Sequence, residues 1–423
     1  MTLANTAAFL RSPRTPFEVG PAEMPAPAAD EVVVRVRAVA VNPLDWVVQG
    51  TGRMTYRWLA HPAVLGTDVA GEVVAVGSAV TRLAVGDRVV GLATGTDKGR
   101  DPRHEGAFQT HTALLERLTT VIPDDLSFEQ AAVLPLGVST AACALFQERH
   151  LGLRLPRSAA DAGGARPDAG GAVPDAGGAV PDAGGAVPGA GGAGGDSGGA
   201  AQAPGGAAPR EREVVVVWGG STSVGMNAVQ LATAAGYDVV STASAVNAET
   251  VKGLGATHVY DYRDPEVVDK LVAVIAGRTV AGAVAIGLGS TEACIRLLAR
   301  TGGSRLALLS TPVSLAEVAD VSTGRPLVPN ALPTFARLGL ATARSLLAAR
   351  QAKVVARFVW GSSLRDDDLG EQLWGGIVPR GLADGSLRAV PEALVAGEGL
   401  GAIQGAVDRQ RAGVSARKLV VLL

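Results

Sequence analysis

The sequence predicts an α/β chain in which a doubly wound parallel sheet is joined to a second, β-rich domain. Three stretches carry that expectation. Residues 214–217 are four consecutive valines that lead through Trp218 into Gly219-Gly220-Ser221-Thr222-Ser223-Val224-Gly225, which is how a buried parallel strand turns into a small-residue loop. Downstream, residues 257–260, 282–286, 305–309 and 354–359 are further strand candidates separated by helix-length segments, and that alternation builds a parallel sheet with ligands at the carboxyl ends of its strands. Residues 1 to about 128 instead carry short strands punctuated by glycines at turn spacing.

In chain order, residues 31–39 alternate apolar and charged side chains over part of their length, as a half-buried strand does. Asn42-Pro43-Leu44-Asp45-Trp46 breaks that strand, and residues 65–77 and 85–91 supply the next ones. Ser127-Phe128-Glu129-Gln130 is a capping box that opens a helix into the second domain; Pro135 is expected to interrupt it, with helix resuming over 139–148. From 158 to 209 the composition changes abruptly. The heptapeptide Pro-Asp-Ala-Gly-Gly-Ala-Val recurs with prolines at 167, 174, 181 and 188, and so Gly-rich a tract without aromatics buries too little apolar area to offset backbone ordering. A disordered surface insert or a retained intron accounts for it equally well.

Behind the valine strand, Val224, Ala228, Leu231 and Ala235 mark one face of a helix. Strand, small-residue turn and helix place backbone N–H groups and a positive helix end where a pyrophosphate sits. Against the G-x-G-x-x-G fingerprint, Gly220 and Gly225 match and Thr222 replaces the middle glycine. The next strand, 238–241, is followed by Thr242, Ala243 and Ser244 where an NAD-binding chain carries an acid for the ribose 2′-OH. No carboxylate repels a 2′-phosphate there, and Ser241, Ser244, Lys252 and Tyr262 are in reach, so NADP(H) is expected over NAD(H). Ser310 falls at the carboxyl end of a later strand, residues 366–387 read as the last helix of the domain, and the chain then returns through Val414-Ser415 and a strand over 418–422. The domains are thus expected at 1–128 with 387–423, and at 129–386.

Composition narrows the function. Of 423 residues 47% are hydrophobic and 18% charged, enough for two or three domain cores. A net charge of −2 argues against nucleic-acid or membrane-surface binding. Two cysteines, Cys143 and Cys294, build neither a disulfide framework nor a thiolate zinc site. No signal peptide is read at the start and no apolar run reaches the ~20 residues of a spanning helix, so a cytoplasmic chain is expected.

The succession NPLDW, LGTDVAGEVVAVG, VGDRVVG, EGAFQTH, AAVLPLGVSTAA, WGGSTSVG, VVSTAS, VYDYRDP and GVSARKLVV resembles the medium-chain dehydrogenase/reductase superfamily. It is most similar to the zinc-independent branch of quinone oxidoreductases and trans-acting enoyl reductases that serve polyketide synthases. The resemblance implies a GroES-like catalytic domain, a Rossmann domain and NADPH. It places Pro43, Leu44, Asp45, Trp46, Ser221, Thr222, Ser223, Val224, Gly225, Ser241, Ser244, Lys252, Tyr262, Ser310, Val414 and Ser415 at the cofactor, and Leu136, Gly137, Ser139 and Thr140 at the substrate. Zinc-dependent members carry a Gly-His-Glu segment and an upstream Cys; Gly66-Thr67-Asp68 and Asn42-Pro43-Leu44-Asp45 stand in those places, residues 94–106 hold no cysteine, and His61, His104, His111, His150 and His258 lack ligand spacing. No metal is therefore expected. Val47 stands where trans-acting reductases often carry a lysine.

The chemistry so implied is hydride transfer from NADPH to the β-carbon of an enone or enoyl thioester, or to a quinone, with Tyr56 as proton donor. A polyketide synthase partner and a homodimer paired through the edge of the cofactor sheet also follow from the resemblance. A non-catalytic NADPH-binding protein of crystallin type is the alternative.

Overall fold

The computed structural model describes residues 4–156, 212–316, 318 and 327–423; the insert expected over 158–209 lies outside them. The first part of the chain forms β1 (Asn5–Leu10), β2 (Phe17–Ala22), β3 (Glu31–Ala40), β4 (Ala63–Val64), β5 (Asp68–Val76), β6 (Arg88–Leu92), β7 (His111–Leu115) and β8 (Thr119–Val121). The parallel sheet follows with β9 (Val214–Trp218), β10 (Asp238–Ala243), β11 (Ala256–Asp261), β12 (Val280–Ala285), β13 (Arg305–Leu308) and β14 (Val355–Phe358), and the chain ends with β15 (Glu392–Glu398) and β16 (Arg417–Leu422).

The valines of β9 are buried on both faces and place it in the middle of the six-stranded order β11-β10-β9-β12-β13-β14. Every neighbouring pair in that sheet runs parallel. All four strands expected downstream of the loop are present, within two residues of their expected bounds at either end. The order reverses on either side of β9, which is the switch point where ligands bind in such sheets. In the other domain β3 is the hub, pairing with β5, β7 and β16, so the last strand of the chain returns to the first domain as the sequence implied.

The helices are α1 (Pro43–Thr51), α2 (Pro102–Glu105), α3 (Phe128–Ala131), α4 (Pro135–Phe146), α5 (Ser223–Ala234), α6 (Ala248–Lys252), α7 (Val267–Val274), α8 (Ser290–Thr301), α9 (Leu327–Gln351), α10 (Leu369–Gln372), α11 (Val378–Asp384) and α12 (Ile403–Ala412). The Ser127/Gln130 capping box is formed. Pro135 does not interrupt a helix: it opens α4, at the first position where its missing N–H is not needed. The helix expected over 366–387 is broken into α10, a π-helical turn (Leu373–Ile377) and α11, and it ends at Gly385, whose φ of 75° stops it.

The segment Phe128–Phe146 is long and apolar enough to cross a membrane, which the sequence reading did not expect. Its apolarity serves the core, since 78% of that window is buried in the fold. α4 packs in one cluster with Ala38, Ala40, Val90 and Leu92 of the catalytic sheet and with Val215, Val217 and Leu231 around the parallel sheet. The two domains thereby share a core, and the site lies where they meet.

Candidate active site

β9 ends at Trp218 and the backbone folds straight back on itself. Gly219 has φ +87°, in the left-handed region that favours glycine. A Cβ on Gly225 would fall 2.1 Å from the Gly219 carbonyl oxygen, so the fingerprint's last glycine is required by backbone contact. Thr222 does the work of the missing middle glycine by capping: its Oγ1 accepts from the Gly225 N–H at 3.0 Å and donates to the Gly219 carbonyl at 2.8 Å. The first amides of α5, those of Ser223 and Val224, have no intrahelical acceptor. Ser223 Oγ is buried and without a hydrogen-bond partner among the described residues. Free amides and a positive helix end make a cradle that fits a pyrophosphate, while the Ser223 hydroxyl is turned towards Gly137 of α4.

β10 runs on to Ala243, and this corrects Ser241. Its hydroxyl is fully buried under the loop and donates to the Val217 carbonyl at 2.7 Å, out of reach of a ligand. Ser244 is the first side chain past the strand, and no carboxylate follows until Glu249. Asn247, which sequence reasoning missed, donates through Nδ2 to Ser244 Oγ at 3.1 Å and to Ser415 Oγ at 3.2 Å. It thus joins the loop after β10 to the turn before β16, where Ala416 is held at φ 50°. Lys252 sits nearby, paired with Glu249 at 2.8 Å, and Tyr262 is exposed under the Arg263 guanidinium. Ser310 Oγ accepts from the Gly287 N–H at 2.8 Å, tying together the carboxyl ends of β12 and β13.

Between the domains lies a buried polar set. Asn42 caps α1, its N–H donating to Asp45 Oδ2 at 2.7 Å, while its Nδ2 donates to Thr67 Oγ1 at 3.0 Å and Asp68 Oδ2 at 2.8 Å. Asp68 Oδ1 accepts from the Leu136 N–H at 2.7 Å, and Lys418 Nζ lies 2.5 Å from Asp68 Oδ2. The ammonium makes no well-aligned hydrogen bond among the described residues, so this contact is chiefly Coulombic. One carboxylate therefore gathers α1, β5, β16 and the first turn of α4. Burial pushes the Asp45 carboxyl up to about 7; the Asn42 amide opposes that rise and the charge of Asp68 adds to it.

The same geometry corrects two cofactor expectations in the first domain. Asp45 is turned inward, and Trp46 donates from its indole nitrogen to Gln410 of α12 at 2.5 Å. Leu44 and Val414 pack on the domain core, leaving Pro43 and Ser415 exposed. The substrate expectations divide as well. Gly137 faces α5, where a Cβ would meet Ser223 Oγ at 2.6 Å, and Ser139 is fully buried, accepting from the Trp374 indole at 3.3 Å. Leu136 and Thr140 are half-buried and stand under Gly361, at which a Cβ would lie 2.1 Å from Thr140 Oγ1.

Tyr56 is buried, its ring centroid 5.2 Å from that of Trp58 and 6.0 Å from that of Trp360. Burial raises its phenol above the usual range, and the charges of Asp97 and Asp45 raise it further. Trp58, Trp360, Asp97, Ser362 and Arg365 line a pocket of about 210 Å³ beside it. Among the described residues, no group of three or more His, Cys, Asp or Glu side chains is placed to hold a metal ion.

Residues 28–124 match the alcohol dehydrogenase GroES-like domain. The chain is 40% identical over 423 residues to the dehydrogenase pigH of Monascus ruber, covering 99% of each. It belongs to the medium-chain dehydrogenase/reductase superfamily. This medium-chain oxidoreductase is also 33% identical over 425 residues to the trans-enoyl reductase himH of Aspergillus japonicus, covering 99% of this chain and 98% of that one. Among solved structures, the CurK enoyl reductase superposes with a TM-score of 0.63 at 19% identity over 99% of both chains, a likeness of fold.

Proposed function

We propose that this chain is an NADPH-dependent reductase of activated carbon–carbon double bonds that works without zinc. The observation that carries the reading is the set of Asn42, Thr67 and Asp68, bonded to one another and to Lys418 in the two places from which zinc-dependent relatives reach their metal. A dication there would meet an amide N–H, a hydroxyl and an ammonium instead of thiolate and imidazole. Without a Lewis acid the acceptor must be activated by its own conjugation, which suits an enone, an enoyl thioester or a quinone.

Ser221, Thr222, Ser223, Val224 and Gly225 would hold the pyrophosphate, and Ser244, Asn247, Lys252, Tyr262 and Ser415 the 2′-phosphate, with Ser310 at the strand ends towards the nicotinamide. Bound there, the nicotinamide supplies the hydride. The chain's own residues orient the acceptor against Leu136 and Thr140 at the start of α4. Tyr56, protonated at neutral pH as any phenol is, delivers its proton to the acceptor's α-carbon. The substrate is a small molecule, free or as a thioester on a polyketide synthase; the trans-enoyl reductase name of the relative himH supports an enoyl acceptor. The half-exposed Val355 and Phe358 of edge strand β14 support a homodimer paired through that edge. The protein is proposed to act in the cytoplasm.

NADPH oxidation over a panel of enones, enoyl thioesters and quinones, beside calorimetry with NADPH and NADH, tests the reading. Turnover of one of the three classes with preferred NADPH binding is expected. Tight NADPH binding without turnover would leave a nucleotide-binding role of crystallin type, and no binding would end the reading.

A further inference from the structure

The pocket beside Tyr56 has features that reduction of a short enone does not require. The chain has only 5 tryptophans and 4 tyrosines in 423 residues, yet three of these rings converge here, from both domains. Trp58 comes from the loop after α1 and Trp360 from the carboxyl end of β14, the last strand of the parallel sheet. Single exposed aromatic residues are ordinary surface features; these two are held. The Trp58 indole donates to the Thr96 carbonyl at 3.0 Å and the Trp360 indole to Asp97 Oδ1 at 3.3 Å. Asp97 is itself fixed by Ser362 at 2.8 Å and Arg365 at 3.3 Å. Both rings lean on Tyr56, yet Trp58 is left 42% and Trp360 38% exposed. Anchored rings with free area bind at little cost in side-chain entropy.

The pocket's place along α4 gives its relation to the reacting end. Gly361 covers Leu136 and Thr140, and the next residues follow the helix, Ser363 Oγ donating to Gln147 Oε1 at 3.1 Å. Trp360 and Ser362, on either side of Gly361, thus bring the pocket wall to the first turns of α4. A cavity of about 150 Å³ is enough for benzene, so the 210 Å³ here admits a phenyl ring or a short polyene.

Resting on the reductase reading, we propose that Trp58 and Trp360 form a distal subsite for a flat, conjugated acyl tail, aryl or polyenyl, and that they set the substrate class. Stacking on a fixed indole favours a flat ring over a puckered one of equal size by about three- to tenfold. The test compares kcat/KM of the full-length protein for phenyl-terminated and cyclohexyl-terminated enones of equal chain length, and titrates the phenyl compound against tryptophan fluorescence. A preference of about three- to tenfold for the phenyl series is expected, with saturable quenching, and Trp58→Leu and Trp360→Leu are expected to bring the ratio towards one without changing NADPH affinity. Equal kcat/KM for the two series in the unaltered protein overturns the proposal. Should no enone be reduced, the reductase reading fails separately, and the fluorescence titration still decides the subsite: saturable quenching supports it and none overturns it.

Discussion

Breaking the Asp68–Lys418 pair is the sharpest test of how the two domains are joined. Both side chains are almost wholly buried, at 0% and 4% side-chain exposure, with 2.5 Å between charged atoms. Lys418→Met keeps the stem's volume and strands a carboxylate whose remaining partners are the Leu136 amide at 2.7 Å and the Asn42 carboxamide at 2.8 Å. An unpaired buried charge costs about 3 to 5 kcal/mol. Asp68→Asn strands the ammonium instead and, by keeping an acceptor for Leu136, is expected to cost about 3 kcal/mol. Removing both charges leaves only imperfect hydrogen bonding, so the double variant should be less destabilised than the two singles together by about 2 kcal/mol or more. Urea denaturation of all four proteins, followed by tryptophan fluorescence, measures the cycle. Effects that add to within about 0.5 kcal/mol would refute the coupling and leave the pair a coincidence of proximity.

Three further outcomes are expected. Asp45 has its folded carboxyl raised by burial to about 7 from 3.8, so the folded chain holds this proton more tightly than the unfolded one; its stability contribution is full below pH 4 and is lost as pH rises towards 7, by up to about 4 kcal/mol. Asp45→Asn should flatten the melting temperature between pH 4 and 8, and melting curves that fall in parallel for both proteins would contradict this. Ser244→Asp places a carboxylate at the end of β10 and should weaken NADPH binding about 100-fold in calorimetry while leaving NADH binding nearly unchanged; equal losses would remove Ser244 from the 2′-phosphate. Tyr56→Phe should lower kcat by at least about 100-fold with NADPH affinity retained, and an undiminished kcat would take the proton donor elsewhere.

Much of this was legible because the sequence signals are local. Four consecutive valines can only be a strand buried on both faces, and Gly219 and Gly225 sit where backbone meets backbone, so strand, loop and helix were all readable from one stretch. What was missed depends on long-range pairing. Asp45 and Asp68 look alike in sequence as isolated acids in apolar surroundings, and only the return of β16 beside β3 shows that Lys418 meets one of them. A lysine directly before the apolar run 419–423 was the available signal. Asn247 was invisible for the same reason, since its second partner, Ser415, lies 168 residues on. Pro135 was misread as an interruption because local rules permit proline either inside a break or at a first turn, and the Asp68 bond to the Leu136 amide fixes the turn here.

The polar set between the domains also shows why a metal site could not be installed here by a single residue. A zinc site holds its protein ligands through the ion, so losing the ion leaves anionic ligands repelling one another in a buried space. Here the places are taken by groups that satisfy each other: Asn42 donates to Thr67 and to Asp68, and Asp68 accepts the Lys418 charge. A thiolate at 42 would remove the carboxamide that donates to Asp68, and either it or an imidazole at 67 would enter beside an ammonium that repels a dication. Lys418 neutralises Asp68 from β16, so the same contact also fixes that strand and, through the Leu136 amide, the start of α4. Charge neutralisation and the joining of the two domains therefore meet at one carboxylate, and a substitution that relaxes one will move the other.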